Sequence, residues 1–207
     1  MFSPKFEVKI NGEDRVLNVE MLSEFAKKYD FYKYTGGRFS WFFILQVIMY
    51  NDRYGIEPAE ILEAIKELEG VKDTKFIKDA TEFKRPPLKG LWHKHYFSAR
   101  FIAKNLQIHH GKNGVKRVFE KHLATGEMLT DEVILTMVDD LVTNAFESRA
   151  GLSKLTGEWI VFAKHNNENY YLALGEHESN DEYLFKTIIS TCIPQFDFLN
   201  DMLNLKG

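Results

Sequence analysis

Apolar and charged residues alternate from Phe6 to Ile10, Asn11-Gly12 interrupts them with a strong turn signal, and the alternation resumes from Arg15 to Val19. That pattern predicts a small hairpin at the start of the chain. From Met21 to Tyr29 the period changes, and Leu22, Phe25 and Ala26 fall at helical spacing. Gly36-Gly37 ends that pattern. Arg38 to Tyr50 is then apolar nearly all round, with Phe42, Leu45, Gln46 and Met49 on one face and Trp41, Ile44 and Ile48 on the other, which predicts a helix buried in the core. Glu57-Pro58-Ala59-Glu60 opens the next helix and Gly70 closes it, with Ile61, Leu62, Ile65 and Leu68 as its buried stripe.

A weaker helical stretch, Thr74 to Phe83, runs into Lys84-Arg85-Pro86-Pro87, where two prolines stop the helix. A soft boundary drawn there separates a helical N-terminal lobe with a short hairpin (1–83) from a second lobe (84–207), and both can belong to one continuous domain. In the second lobe Ser98 to Lys104 and Val115 to Leu123 read as helices. From Thr130, a helix N-cap, the residues Ile134, Met137, Val138, Leu141, Val142, Ala145 and Phe146 keep helical spacing over several turns.

Glu158 to His165 and Tyr170 to His177 are β-rich runs separated by Asn166-Asn167-Glu168-Asn169. A turn centred on Asn167-Glu168 pairs His165 with Tyr170, Lys164 with Tyr171, Ala163 with Leu172, and Glu158 with His177. Both faces of the first run are apolar, so it is expected to be an interior strand covered on both sides. Glu182 to Cys192 follows as a helix with Leu184, Phe185, Ile188 and Ile189 inward, and an apolar tail runs from Phe196 to Leu203. The fold class is α+β, mainly helical, with a small antiparallel sheet that includes the C-terminal hairpin.

Charge changes this picture in one segment. Lys84 to Phe119 holds nine Lys or Arg, four of the seven histidines and no Asp or Glu. The rest of the chain is left with 18 basic against 30 acidic side chains. Trp92, Tyr96, Phe97 and Phe101 interleave with the charges, as a surface needs if it is to hold phosphates and stack flat groups. The predicted contacts are Lys84, Arg85, Lys89, Lys94, Lys104, Lys112, Lys116 and Arg117. The competing reading is a solvated basic face that neutralises acidic neighbours within the fold.

Hydrophobic residues at 44% and 17 Phe among 207 residues exclude a disordered chain. The single cysteine, Cys192, excludes an intramolecular disulfide and a Cys-cluster metal site, and reads as buried and inert. The N-terminus lacks the apolar run of a signal peptide, and the most apolar block falls short of the ~20 residues that span a bilayer, so a soluble cytoplasmic protein is expected. No cofactor motif is present, and no cofactor is expected.

The chemistry of His93 and His95 depends on the backbone. In a strand they share a side, a spacing usable by two metal ligands or by an acid and base pair. In a helix they diverge, and His93 shares its side with Phe97, Arg100 and Lys104. The helical character of Ser98 to Lys104 places the pair at a helix start or just ahead of it. In the late hairpin Lys164, His165, Tyr170 and Tyr171 collect at the turn end, and Glu158 faces His177 at the open end, about 20 Å away.

A helical lead-in, a basic segment with histidines, and a hairpin bearing Lys164-His165 and Tyr170-Tyr171 resemble the layout of small bacterial ribonuclease toxins of the barnase, EndoU, colicin and RelE-like group. The likeness covers the second half of the chain. It implies metal-independent endonucleolytic cleavage of RNA by 2′-hydroxyl attack, as in a bacterial or phage toxin or defence effector. His93, His95 or His165 would then serve as acid and base, Arg100 and Lys164 would offset charge on the phosphorane, and Tyr170 or Tyr171 would stack or relay protons. One rival is a non-catalytic module that binds RNA, another polyanion or a protein partner, as an antitoxin or immunity partner does. Another is a metal-dependent hydrolase using His93, His95, His177 and Glu158; the absence of carboxylates from the basic segment counts against it, and no metal is expected.

Overall fold

A computed structural model describes residues 2–72, 79–96, 116, 117, 120, 158–175 and 180–205. The chain divides into two units, one made of Met1–Asp73, Asp79–Ser98 and Gly157–Gly207, the other of Thr74–Lys78 and Ala99–Thr156. The residues on either side of the boundary expected at 83/84 both belong to the first unit. In the second unit Lys116, Arg117 and Glu120 are helical and exposed, and Lys116 Nζ lies 3.5 Å from Glu120 Oε1. The long helix expected after Thr130 lies outside the described residues.

In the first unit, Asn11 and Gly12 take φ values of 51° and 81°. Two left-handed residues give a two-residue loop the twist its strands need. β1 (Lys5–Ile10) therefore pairs antiparallel with β2 (Glu13–Asn18) from Ile10↔Glu13 to Lys5↔Asn18. Asn18 then ends the strand by capping a helix. Its side-chain oxygen accepts from Met21 N at 3.0 Å and starts α1 (Val19–Lys28). α2 (Phe31–Thr35) is one short turn, stopped at left-handed Gly36.

α3 (Trp41–Tyr54) begins three residues later than its apolar run. The reason is that Arg38 to Ser40 stays extended to meet a strand from the far end of the chain. Ser40 then caps the helix, its Oγ accepting from Phe43 N at 2.9 Å. Phe43, Ile44 and Val47 are wholly buried. α4 (Pro58–Leu68) starts on Glu57, whose backbone N donates to Glu60 Oε2 at 3.2 Å.

The second sheet has the order β3 (Thr81–Glu82), β4 (Trp92–His95), β5 (Trp159–His165), β6 (Glu168–Gly175), antiparallel throughout. Thr81 and Glu82, expected to be helical, are strand. They pair with His93 and Trp92, and Phe83 N donates to Leu91 O at 2.8 Å, so the ladder outweighs a weak helical preference. β5 is interior, with Ile160, Val161, Phe162 and Ala163 fully buried, as its two apolar faces require.

The β5–β6 register differs from the expected one. The turn is Asn166-Asn167, at φ 51° and 62°, and it pairs His165 with Glu168, Lys164 with Asn169 and Ala163 with Tyr170. Asparagine tolerates left-handed φ, so a two-residue turn wins over the longer loop. A bulge between Val161 and Phe162 then shifts the ladder by one residue toward Trp159↔Gly175.

Each sheet face has its own cover. Val161, Ala163 and Ala173 share a core with Leu184, Ile188 and Cys192 of α5 (Asp181–Cys192) and Leu199 of α6 (Phe198–Met202). On the opposite face Phe162 and Phe43 flank Tyr171, with centroids 6.2 and 6.1 Å from its ring. Burying an aromatic ring of this size contributes ~1.5–3 kcal/mol. No described helix is long and apolar enough to cross a membrane.

β6 would be an edge strand, but its outer edge is used up. Tyr171 N donates to Arg38 O at 2.9 Å, Ser40 N donates to Tyr171 O at 2.8 Å, and Ser40 Oγ donates to Leu172 O at 2.7 Å. One turn into α3 the Gln46 amide continues the ladder, accepting from Leu174 N at 2.7 Å and donating to Leu174 O at 3.0 Å. Covering an edge in this way removes a template for unwanted pairing.

At the end of this seam Glu69, just beyond α4, accepts from three side chains. Arg38 Nη2 lies 2.6 Å from its Oε2, while Tyr171 Oη and Asn169 Nδ2 donate to its Oε1. Burial, with the Glu69 hydrogen bond second, pushes the Tyr171 phenol well above its ordinary range, so it remains a donor. Tyr171→Phe is expected to lower stability by about 1.5–3 kcal/mol, the usual worth of a hydrogen bond to a charged group, read as a lower urea midpoint at unchanged m-value. Burial likewise raises the Cys192 thiol, which disfavours the thiolate. A thiol reagent such as DTNB is expected to find no reactive group in the native protein and one equivalent after unfolding; rapid native labelling would contradict the buried position.

Candidate polyanion interface

The loop from Lys84 to Gly90 is built on two apolar plugs. Leu88 and Leu91 are buried in the core beneath the sheet, and Leu91 N donates to Leu88 O at 3.0 Å. With those positions sunk, the charged positions of the loop face solvent: Lys84 and Arg85 ahead of Leu88, and Lys89 between the two leucines, are all exposed. Gly90, at φ 91°, turns the chain back into β4.

Register brings a second segment to the same end of the sheet. Trp92 lies opposite Phe162, so the loop that precedes Trp92 runs beside the end of β5, where Lys164 and His165 enter the Asn166-Asn167 turn. Lys164 is exposed, and its Nζ sits 3.6 Å from the centroid of the half-buried Trp92 ring. His165 points to the other face and stacks flat on Phe198, with centroids 4.1 Å apart and planes 10° apart. Tyr170 packs edge-on against Phe198 at 4.8 Å and against Phe196 at 5.3 Å. Against the exposed cations Lys84, Arg85, Lys89 and Lys164 stand two exposed acids of the neighbouring strands, Glu82 opposite Trp92 and Glu168 opposite His165. Glu168 is already matched by Arg38 Nη1 at 3.3 Å.

Other residues named from the sequence lie elsewhere. His93 and His95 are in a strand rather than at a helix start, so they share one face, their rings 5.8 Å apart. His93 packs against Phe83 at 4.5 Å and Trp159 at 5.1 Å, and His95 is buried. They pair with Val161 and Trp159, four and six residues back from His165, which at ~3.3 Å per residue is about 13–20 Å along β5.

Two residues need correcting. Lys94 points away from its histidine neighbours into the interior, where its Nζ lies 2.7 Å from Glu67 Oε2 with 5% and 10% of the two side chains exposed. A buried ammonium held this way is not available to phosphate, because separating it would leave a desolvated carboxylate behind. Tyr171 is fully buried between Phe43 and Phe162 and cannot stack on or relay protons to a bound strand. Arg100, Lys104, Lys112 and His177 lie outside the described residues. Lys116 and Arg117 are exposed, in the second unit.

Among the described residues no group of three or more His, Cys, Asp or Glu side chains is placed to hold a metal ion. Sequence reading missed Trp92 as the partner of Lys164, and Arg38 with Glu69 as the frame behind the turn. Both depend on register between segments far apart in the chain, which local spacing does not carry. Compared with known proteins, the chain matches no family model, no curated protein and no solved structure.

Proposed function

We propose that this chain is a binding module for RNA, engaging the phosphate backbone through the sheet end formed by the loop at 84–90 and the turn after Lys164. The observation that carries this reading is that strand register brings two distant segments, with exposed Lys84, Arg85, Lys89 and Lys164, to one end of the sheet, where Lys164 lies over the half-buried Trp92 ring. Exposed cations fixed on a rigid sheet end release counterions when they meet a polyanion, which supplies affinity without sequence preference. Aromatic groups among them suit the flat faces of bases.

Ribonuclease chemistry takes second place on geometric grounds. A general acid and a general base must both reach one phosphate within hydrogen-bond distance, directly or through one water. Among the described histidines only His165 stands at the cationic end, while the His93–His95 pair, rings 5.8 Å apart and His95 buried, stands about 13–20 Å away along β5 from the exposed cations that would offset charge on a phosphorane. Binding without cleavage is therefore the better-supported reading.

Fluorescence anisotropy of a labelled single-stranded RNA, titrated at several salt concentrations, tests it. At about 0.7 per phosphate contact, the variant Lys84→Ala/Arg85→Ala/Lys89→Ala is expected to reduce the log–log salt slope by about 2, with the RNA intact on a denaturing gel. An unchanged slope would remove this sheet end from the interface. Cleavage in EDTA would restore the ribonuclease reading, and no binding at low salt would leave a protein partner as the alternative.

A further inference from the structure

The Lys164–Trp92 contact adds something that phosphate binding alone does not use. An exposed ammonium over an indole gains little, because it gives up hydration to make the contact. A nucleobase on the same ring gains more, since it buries two flat apolar faces against each other. The two occupants compete for one surface, and Lys164 has a flexible four-carbon stem on which to leave it.

Trp92 is held for this role. Its backbone is fixed on both sides, by Glu82 of β3 and Phe162 of β5, and the Phe162 ring lies 6.4 Å from the indole at 36°. The two flanks differ in charge. Exposed Glu82 repels phosphate on the β3 side, and exposed Lys164 attracts it on the β5 side, so a nucleotide stacked on Trp92 has its phosphate directed toward Lys164 and the loop cations.

We propose that Trp92 is a base-stacking platform, capped by Lys164 in the free protein, and that it makes this interface selective for single-stranded over duplex RNA. Bases inside a duplex are stacked on one another and offer no free face, so the duplex can use only the cations. This inference rests on the RNA-binding reading above.

The test uses the whole chain and three probes: a short labelled oligoribonucleotide, the same strand annealed to its complement, and heparin. Wild type is expected to prefer the single strand. Trp92→Leu is expected to weaken single-strand binding by about 10- to 100-fold, the range for one lost base stack, while leaving heparin binding unchanged. Trp92→Phe keeps a flat ring and should recover most of the loss, which separates stacking from a folding defect. Lys164→Ala is expected to lower the salt slope by about 0.7 and keep the single-strand preference. Equal binding of both RNA forms, or full single-strand affinity in Trp92→Leu, would overturn the platform while leaving the polyanion interface standing. Failure of wild type to bind any of the three probes would overturn both.

Discussion

The Glu69 carboxylate is the point on which the first unit turns. It sits just past α4, and it accepts from Arg38 ahead of α3 and from Asn169 and Tyr171 on β6. Asn169 also donates to Leu68 O at 3.1 Å, and Arg38 Nε donates to Asn169 O at 3.1 Å. Removing one member of such a network leaves the others desolvated and under-satisfied, so its members stand or fall together. Segments at 38, 69 and 169–171 are thereby tied at one place.

That tie has a consequence at the sheet end. Arg38, in answering Glu69, is also placed to answer Glu168 at the mouth of the β5–β6 turn, which offsets an acid that would otherwise oppose Lys164. Lys94, paired internally with Glu67, takes a further charge out of play. The basic segment is therefore divided by the pleat and the loop: Lys94 serves the interior, and Lys84, Arg85 and Lys89 remain on the outside. A count of charges over 84–119 holds both kinds without distinguishing them.

Much of the fold is legible locally. Asn11-Gly12 demands a tight turn, Pro58 begins α4, and the doubly apolar β5 is interior. What escapes local pattern is what depends on distant partners. Trp92 to His95 fits strand or helix equally until β5 lies beside it. The hairpin register turns on whether two asparagines or four polar residues form the loop, and the backbone settles on two. Tyr171 reads as an exposed phenol near a turn, yet Phe43, Phe162 and Glu69 enclose it. The candidate interface was legible in its cations at 84–89 and at Lys164, but the seating of Lys164 over Trp92 was not.

Hydrogen–deuterium exchange, read peptide by peptide with and without single-stranded RNA, tests the central claim most directly. Slowed exchange at 84–90 and across the turn at 164–168, with the 38–40 and 171–174 ladder protected in both states, is the predicted result. Protection confined to other segments, or an unchanged pattern at saturating RNA, would contradict it.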